Sequence, residues 1–340
     1  MSLPVSAALL IALPLVFLLG TAIQRGNTCT VVAVDDIVHH RSWSRFLAIA
    51  SAWFLVAGGL VLMNAATGLT VKAKVFPVTV WSVVGGVLLG VGAVVNGACT
   101  TGTIARIGSG EHTFGLTILG FFGGCVLAPH IFGTGAITHI GSPATTTSLN
   151  HPLPTLILLV VVLGWDAQRL IRGPHESLSD FLHKSWDPRT AVLIVAILFV
   201  AIVQIVGPFA YTELLGDLSR HHTGNALPQL MLFVALLAGA VVAGRSMRGT
   251  RLIGPLRPKV IRCTVGGIVM GAGASLAPGA FDGLTLLGQP LLLPFAWAVM
   301  AVVYFTVLLG VLYLRSSLGD WIKTMQIGRA SCRERVSSPV

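Results

Sequence analysis

Charge is scarce in this sequence. Asp, Glu, Lys and Arg together make up only 10% of its 340 residues, while 54% are hydrophobic; soluble domains carry about a quarter charged residues. Such a chain cannot cover a water-facing surface, so its solvent over most of its area is lipid. Long aqueous loops are also missing, which leaves no room for a sizeable soluble domain. Stretches of alternating polarity, the mark of a transmembrane barrel, are absent. None of the five cysteines (Cys29, Cys99, Cys125, Cys263 and Cys332) belongs to a CxxC pair or has a close His or Cys partner, so no zinc or dithiol motif is indicated. Their odd number and wide spacing also argue against a disulfide framework. No Walker motif is present, which speaks against ATP-driven transport by this chain. The net charge of +10 is not arranged as a basic stripe interleaved with aromatics, so nucleic acid is not an expected partner.

What the chain does have is apolar runs, several close to the roughly 20 residues that a helix needs to cross a bilayer. They fall at about 3–23, 46–64, 76–95, 113–132, 153–165, 190–207, 228–243, 263–277 and 291–314. This predicts an all-α polytopic membrane protein with about nine transmembrane helices, the fifth being short. Pro77, Pro154 and Pro228 mark entrances, where a missing N–H costs least. The first run has no basic leader and no convincing cleavage site, and reads as a membrane helix rather than a signal peptide.

Orientation follows from the loops. Segment 244–262 carries Arg245, Arg248, Arg251, Arg257, Lys259 and Arg262 and no acid, which assigns it to the cytoplasm. The 133–152 connection has no Lys or Arg and fits the periplasm, as does the nearly neutral 208–227 segment. The amino terminus is then expected outside and the carboxyl terminus inside, in an inner membrane. Lys72 and Lys74 go against this count. Beyond residue 325 the composition breaks: 326–340 is polar and charge-dense, either a cytoplasmic tail or sequence foreign to the transport domain of 1–325.

An internal repeat is visible. Val84–Ala93 aligns with Val265–Ala274, every glycine matching, at an offset of 181 residues. Each copy leads into a polar, glycine-containing break, 96–102 in one and 278–283 in the other. With the predicted orientation the copies run in opposite directions through the membrane, which gives inverted halves of about 1–132 and 190–314. Inverted repeats are a transporter architecture with substrate held near the midplane by broken helices. Helix packing alone accounts for the glycines, but irregular backbone at membrane depth survives only where protein or a water-filled cavity covers it.

The residues able to carry chemistry lie in these breaks. Gly97 and Gly102 allow a tight turn; the hydroxyls of Thr100, Thr101 and Thr103, with the N–H groups of a starting half-helix, can donate to an anion. Arg106 supplies positive charge, and Cys99 a soft, weak S–H donor. The bland alternative makes Cys99 a small packed hydrophobe and lets Arg106 face lipid headgroups. A second cluster, from Gly20 to Thr30, places Gln24, Arg25 and Cys29 in a like setting. Cys125 and Cys263 read as core. Asp282 must face water, a cavity or a partner; it caps a half-helix through Gly283 or titrates with a coupled proton. The pairs His39–His40 and His221–His222 read as interfacial residues, not metal ligands.

Three elements carry a resemblance: Q-R-x-x-x-C (Gln24, Arg25, Cys29), G-A-C-T-T-G-x-x-x-R-x-G-x-G (Gly97 to Gly110) and G-A-S-L-A-P-G-x-x-D-G-L (Gly273 to Leu284). Together they resemble the YeeE/YedE membrane-protein family over about 14–314. The resemblance implies a helical bundle of two pseudo-twofold halves with inward-dipping loops, and uptake of thiosulfate or a related sulfur compound. It also implies that Cys29 and Cys99 pass the anion along by S–H hydrogen bonds, with Gly279, Asp282 and Gly283 on the second-half loop. The importers resembled carry a further cysteine on that loop, where this chain reads Gly279-Ala280-Phe281-Asp282-Gly283. The expected function is an inner-membrane permease for a small sulfur-containing anion, not an enzyme, with no cofactor implied. Two rivals stay open: a sulfurtransferase or redox relay using a persulfide on Cys29 or Cys99, and a scaffold docking a soluble sulfur-carrier protein on the cytoplasmic face.

Overall fold

The computed structural model describes residues 5–68, 73–133, 142–144, 152–172, 184–220, 226–247, 257–277 and 279–317. The chain is helical almost throughout. In order it forms α1 (Val5–Gly26), α2 (Thr30–His40), α3 (Ser44–Thr67), α4 (Val80–Asn96), α5 (Thr100–Gly108), α6 (Gly115–Phe132) and α7 (Pro152–Arg172). Then come α8 (Pro188–Val206), α9 (Tyr211–Ser219), α10 (Ala226–Ser246), α11 (Arg257–Leu276), α12 (Phe281–Gly283, continuing as a π turn over Leu284–Gly288) and α13 (Pro294–Ser317). The short strands β1 (Ala73–Val75) and β2 (Ser142–Ala144) pair antiparallel. They tie the loop after α3 to the connection after α6, so both loops lie at the same end of the molecule.

Eight helices among the described residues are long and apolar enough to cross a membrane, where nine spans were expected. The difference is α7. Over the described residues its apolar stretch is Pro152–Gln168, shorter than the other eight, and Asp166 near its end is drawn inward, 3.7 Å from Arg189. Large side chains such as Leu10, Val80, Leu153 and Val160 stand exposed on the outer faces of their helices, as lipid-facing residues do. The basic residues 248–256, the pair His221–His222 and the 326–340 tail lie outside the described residues.

Four times the chain repeats one motif: a long helix, a break, a short helix, a return. The breaks fall after α1, α4, α8 and α11, and the residues at the starts of the following short helices are Cys29, Cys99, Ala210 and Ala280, all in extended backbone. Cys29 and Ala210 are 181 positions apart, and so are Cys99 and Ala280, the same offset as the sequence repeat. Helices α4 and α11 pack antiparallel: Gly85 lies against Gly273 and Ala277, and Gly92 against Gly266 and Met270. A Cβ at Gly92 would stand 2.7 Å from the Met270 backbone nitrogen, so only glycine permits this spacing. In lipid, where apolar burial gives no net drive between helices, such close van der Waals packing is what holds them together.

Candidate functional site

The break after α4 is built around Asn96 and Gly97. Gly97 closes the helix with φ 78°, in the left-handed region that glycine occupies without strain. Asn96 supplies the hydrogen bonds that the broken backbone lacks. Its Nδ2 donates to the Ala98 carbonyl (2.8 Å) and to Thr103 Oγ1 (3.2 Å), and its Oδ1 accepts from Thr117 Oγ1 (2.8 Å). Helix α5 then starts at Cys99, whose Sγ accepts from Gly102 N–H at 3.4 Å, a sulfur acting as N-cap. The Cys99 N–H in turn donates to Cys29 Sγ, also at 3.4 Å. The two cysteines that the sequence singled out, 70 residues apart, therefore touch. Both are free thiols, 1% exposed. Gly102 makes the contact possible: a Cβ there would stand 2.5 Å from Cys29 Sγ.

The second half of the chain meets this pair from the other side. Tyr211 OH donates to the Thr100 carbonyl (2.9 Å). Asp282 accepts from Thr212 Oγ1 (2.5 Å), from Thr212 N–H (3.4 Å) and from Thr100 Oγ1 (3.5 Å). The starts of α2, α5, α9 and α12 thus gather in one place. Beside them lie two small cavities of about 40 and 30 Å³, space for a few water molecules. The polar residues lining the first are Thr28, Thr30, Thr101, Thr285 and Asp282; Thr101 and Asp282, with Tyr211, line the second. Neither Cys29 nor Cys99 lines a cavity, but Cys29 is next in the chain to Thr28 and Thr30, which line the first, and Cys99 to Thr100, which hydrogen-bonds to Asp282.

Other expected site residues are placed elsewhere. Gln24 donates to Ser109 Oγ (2.9 Å), and Arg25 donates to Ser246 Oγ (3.0 Å) while its guanidinium lies over the Trp186 ring. Arg106 sits at the far end of α5, paired with Glu111 at 3.0 Å, and Lys259 of α11 pairs with the other oxygen of the same carboxylate. Both cations lie over the Phe114 ring. Burial of Glu111 opposes its ionisation, but Arg106 and Lys259 outweigh that and hold its carboxyl below the ordinary value of 4.5. Arg262 donates to the Val95 carbonyl. These residues form a polar cluster around the far end of α5, and none of them lines either cavity. Gly279 adopts φ 127° in the break before α12, and Gly283 lies against Glu213.

Cys125 Sγ contacts the Gly271 carbonyl, and Cys263 is buried on α11. His39 pairs with Asp35 one turn earlier. Among the described residues no three His, Cys, Asp or Glu side chains gather as a metal site would require.

Sequence reasoning missed Tyr211 and Thr212. The signal was available: the repeat offset of 181, applied to Cys29 and Thr30, lands on Ala210 and Tyr211.

The sulphur-transport family model matches residues 25–309. The chain belongs to this family. It is also similar to the thiosulfate transporter TsuA of Escherichia coli (strain K12), 25% identical over 296 residues, covering 78% of this chain and 83% of that protein. Membership makes this family member a multi-pass membrane transporter of sulfur compounds rather than an enzyme, which removes the ground for the sulfurtransferase reading.

Proposed function

We propose that this chain is an inner-membrane permease for thiosulfate or a closely related sulfur oxyanion, and that Cys29 and Cys99 hand the anion through the narrowest point. The observation that carries this reading is the contact between the two thiols at the starts of α2 and α5, beside the threonine-lined cavities. A helix start offers unpaired N–H groups and a partial positive charge, which suit an anion. The hydroxyls of Thr28, Thr30 and Thr101 donate to its oxygens. A neutral S–H donates weakly to its terminal sulfur, a soft acceptor, and releases it readily; tight binding would stop flux.

Ala280 stands where a third cysteine would complete the relay, so the second half contributes Thr212, Tyr211 and Asp282 instead. We further take the two halves as inverted repeats, a reading supported by the antiparallel α4–α11 seam and by the shared 181-residue offset of the break points. The Arg25–Arg106–Lys259 end is then cytoplasmic, with the amino terminus outside, the carboxyl terminus inside and the β1–β2 loops in the periplasm. Its basic face would receive a soluble sulfur-carrier protein. The test is growth of a strain lacking other sulfur uptake on limiting thiosulfate. The wild-type chain restores growth and Cys99→Ala does not; equal growth with Cys99→Ala refutes the thiol route.

A further inference from the structure

One buried group near the thiols is itself an acid, an unexpected neighbour for an anion. Asp282 is 9% exposed and is the one charged residue lining either cavity among the described residues. An anion path would be expected to hold a cation or neutral donors there. Instead a carboxylate occupies the donors that an oxyanion would use: both Thr212 groups on α9, and the Thr100 hydroxyl on α5.

Among the described residues, the elements packed against Asp282 offer it hydrogen bonds but no cation. Helix α9 presents Tyr211 and Glu213, neither cationic, and α5 presents Cys99; its single arginine, Arg106, is engaged with Glu111 at the opposite end. The π turn after α12 carries no titratable side chain. A carboxylate and a sulfur oxyanion in the same low-dielectric space repel strongly, and an uncompensated buried charge is costly in itself. The site can hold one or the other as an anion, not both.

We propose that Asp282 is a proton site, and that the anion enters as a symport with a proton bound there. This deepens the permease reading and rests on it. In the empty state the ionised carboxylate holds Thr212 and Thr100 in place of the substrate. A proton arriving from the entry side converts it to the neutral acid, which no longer repels the incoming anion and releases those hydroxyls to it. When the anion leaves on the far side, the proton leaves Asp282 to water there, and the carboxylate recaptures Thr212. Each cycle moves one proton and one anion in the same direction, with no bond made or broken in the anion.

The test uses the full chain in liposomes containing a pH-sensitive dye, with the membrane potential clamped at zero and labelled thiosulfate outside. Thiosulfate is fully ionised near neutrality, so it carries no proton by itself. The expected result is that adding thiosulfate acidifies the lumen, and that a gradient of one pH unit, acid outside, raises steady-state accumulation up to about tenfold. Asp282→Glu keeps both effects in weakened form; Asp282→Asn, eluting as a monodisperse species, loses both. Thiosulfate entry into wild-type vesicles without acidification or gradient-driven accumulation overturns the proton site and leaves the permease standing. Asp282→Asn behaving as wild type overturns it as well. Absence of thiosulfate entry at every pH refutes the permease and the symport with it.

Discussion

The backbone N–H of Cys99 points at the sulfur of Cys29, 3.4 Å away. The contact joins the first turns of two short helices whose cysteines lie 70 residues apart in the chain. It fixes the thiol of Cys29 by a donor that no side-chain substitution at position 99 removes.

Cys99→Ser isolates the role of sulfur. Serine is a strong N-cap, so α5 keeps its start and the Gly102 N–H keeps its acceptor. What is lost is the soft, weakly bonding S–H. Uptake should fall at least about tenfold, the equivalent of roughly 1.4 kcal/mol in the barrier, with unchanged thermal unfolding. Uptake at the wild-type rate would show that softness plays no part.

Gly102→Ala tests the contact sterically. The added methyl would stand 2.5 Å from Cys29 Sγ and 2.9 Å from its Cβ, and both groups are rooted in helix starts that cannot shift independently. Overpacking of this kind costs about 1–3 kcal/mol. Thermal unfolding in detergent should move down by several degrees and uptake should drop with it; an unchanged Tm would mean that the two helix starts have slack.

Asn96→Ala removes three hydrogen bonds from a side chain 2% exposed. Thr117 Oγ1 and the Ala98 carbonyl lose a partner in a buried setting, a loss of about 1–3 kcal/mol for each group left unsatisfied. The expected outcome is lower thermal stability together with lost uptake, because the break that presents Cys99 depends on Asn96. Retained uptake at a lower Tm would separate the break from the transport path.

Much of this was legible in the sequence, and what was not has a physical reason. Spans showed through composition because lipid exposure leaves a long apolar signature, and the fifth run, α7, showed as the short one. The break at 96–102 was visible through Gly97, Gly102 and the threonines. The break at 207–210, Gly-Pro-Phe-Ala, was read only as the start of the 208–227 connection, since nothing in that segment announced the short helix α9. Arg106 and Arg25 were expected near the anion because charge beside a cysteine cluster suggests one site. A helix carries its two ends apart, however. The seven residue steps from Cys99 to Arg106 cover about 10 Å at 1.5 Å each, which puts Arg106 with Glu111 while Cys99 meets Cys29. No sequence pattern announces that pairing with Lys259.

Glu111→Gln probes the polar cluster. The carboxylate is buried between Arg106 and Lys259, so neutralising it should destabilise the protein by on the order of 2 kcal/mol. Its folded pKa lies below the ordinary 4.5, so the stabilisation is fully present above that value and is lost as pH falls through the folded pKa. The wild-type advantage in Tm over Glu111→Gln should therefore persist at pH 7 and shrink progressively below pH 4.5. A difference independent of pH would place the effect in packing rather than in charge.

The central claim is that the chain conducts a sulfur oxyanion, and uptake of labelled thiosulfate into liposomes carrying only this protein tests it most directly. The account predicts saturable entry above that of protein-free vesicles, competed by unlabelled thiosulfate and only weakly by sulfate, which lacks a terminal sulfur. Entry no faster than in protein-free vesicles, or competition by sulfate equal to that by thiosulfate, would contradict it.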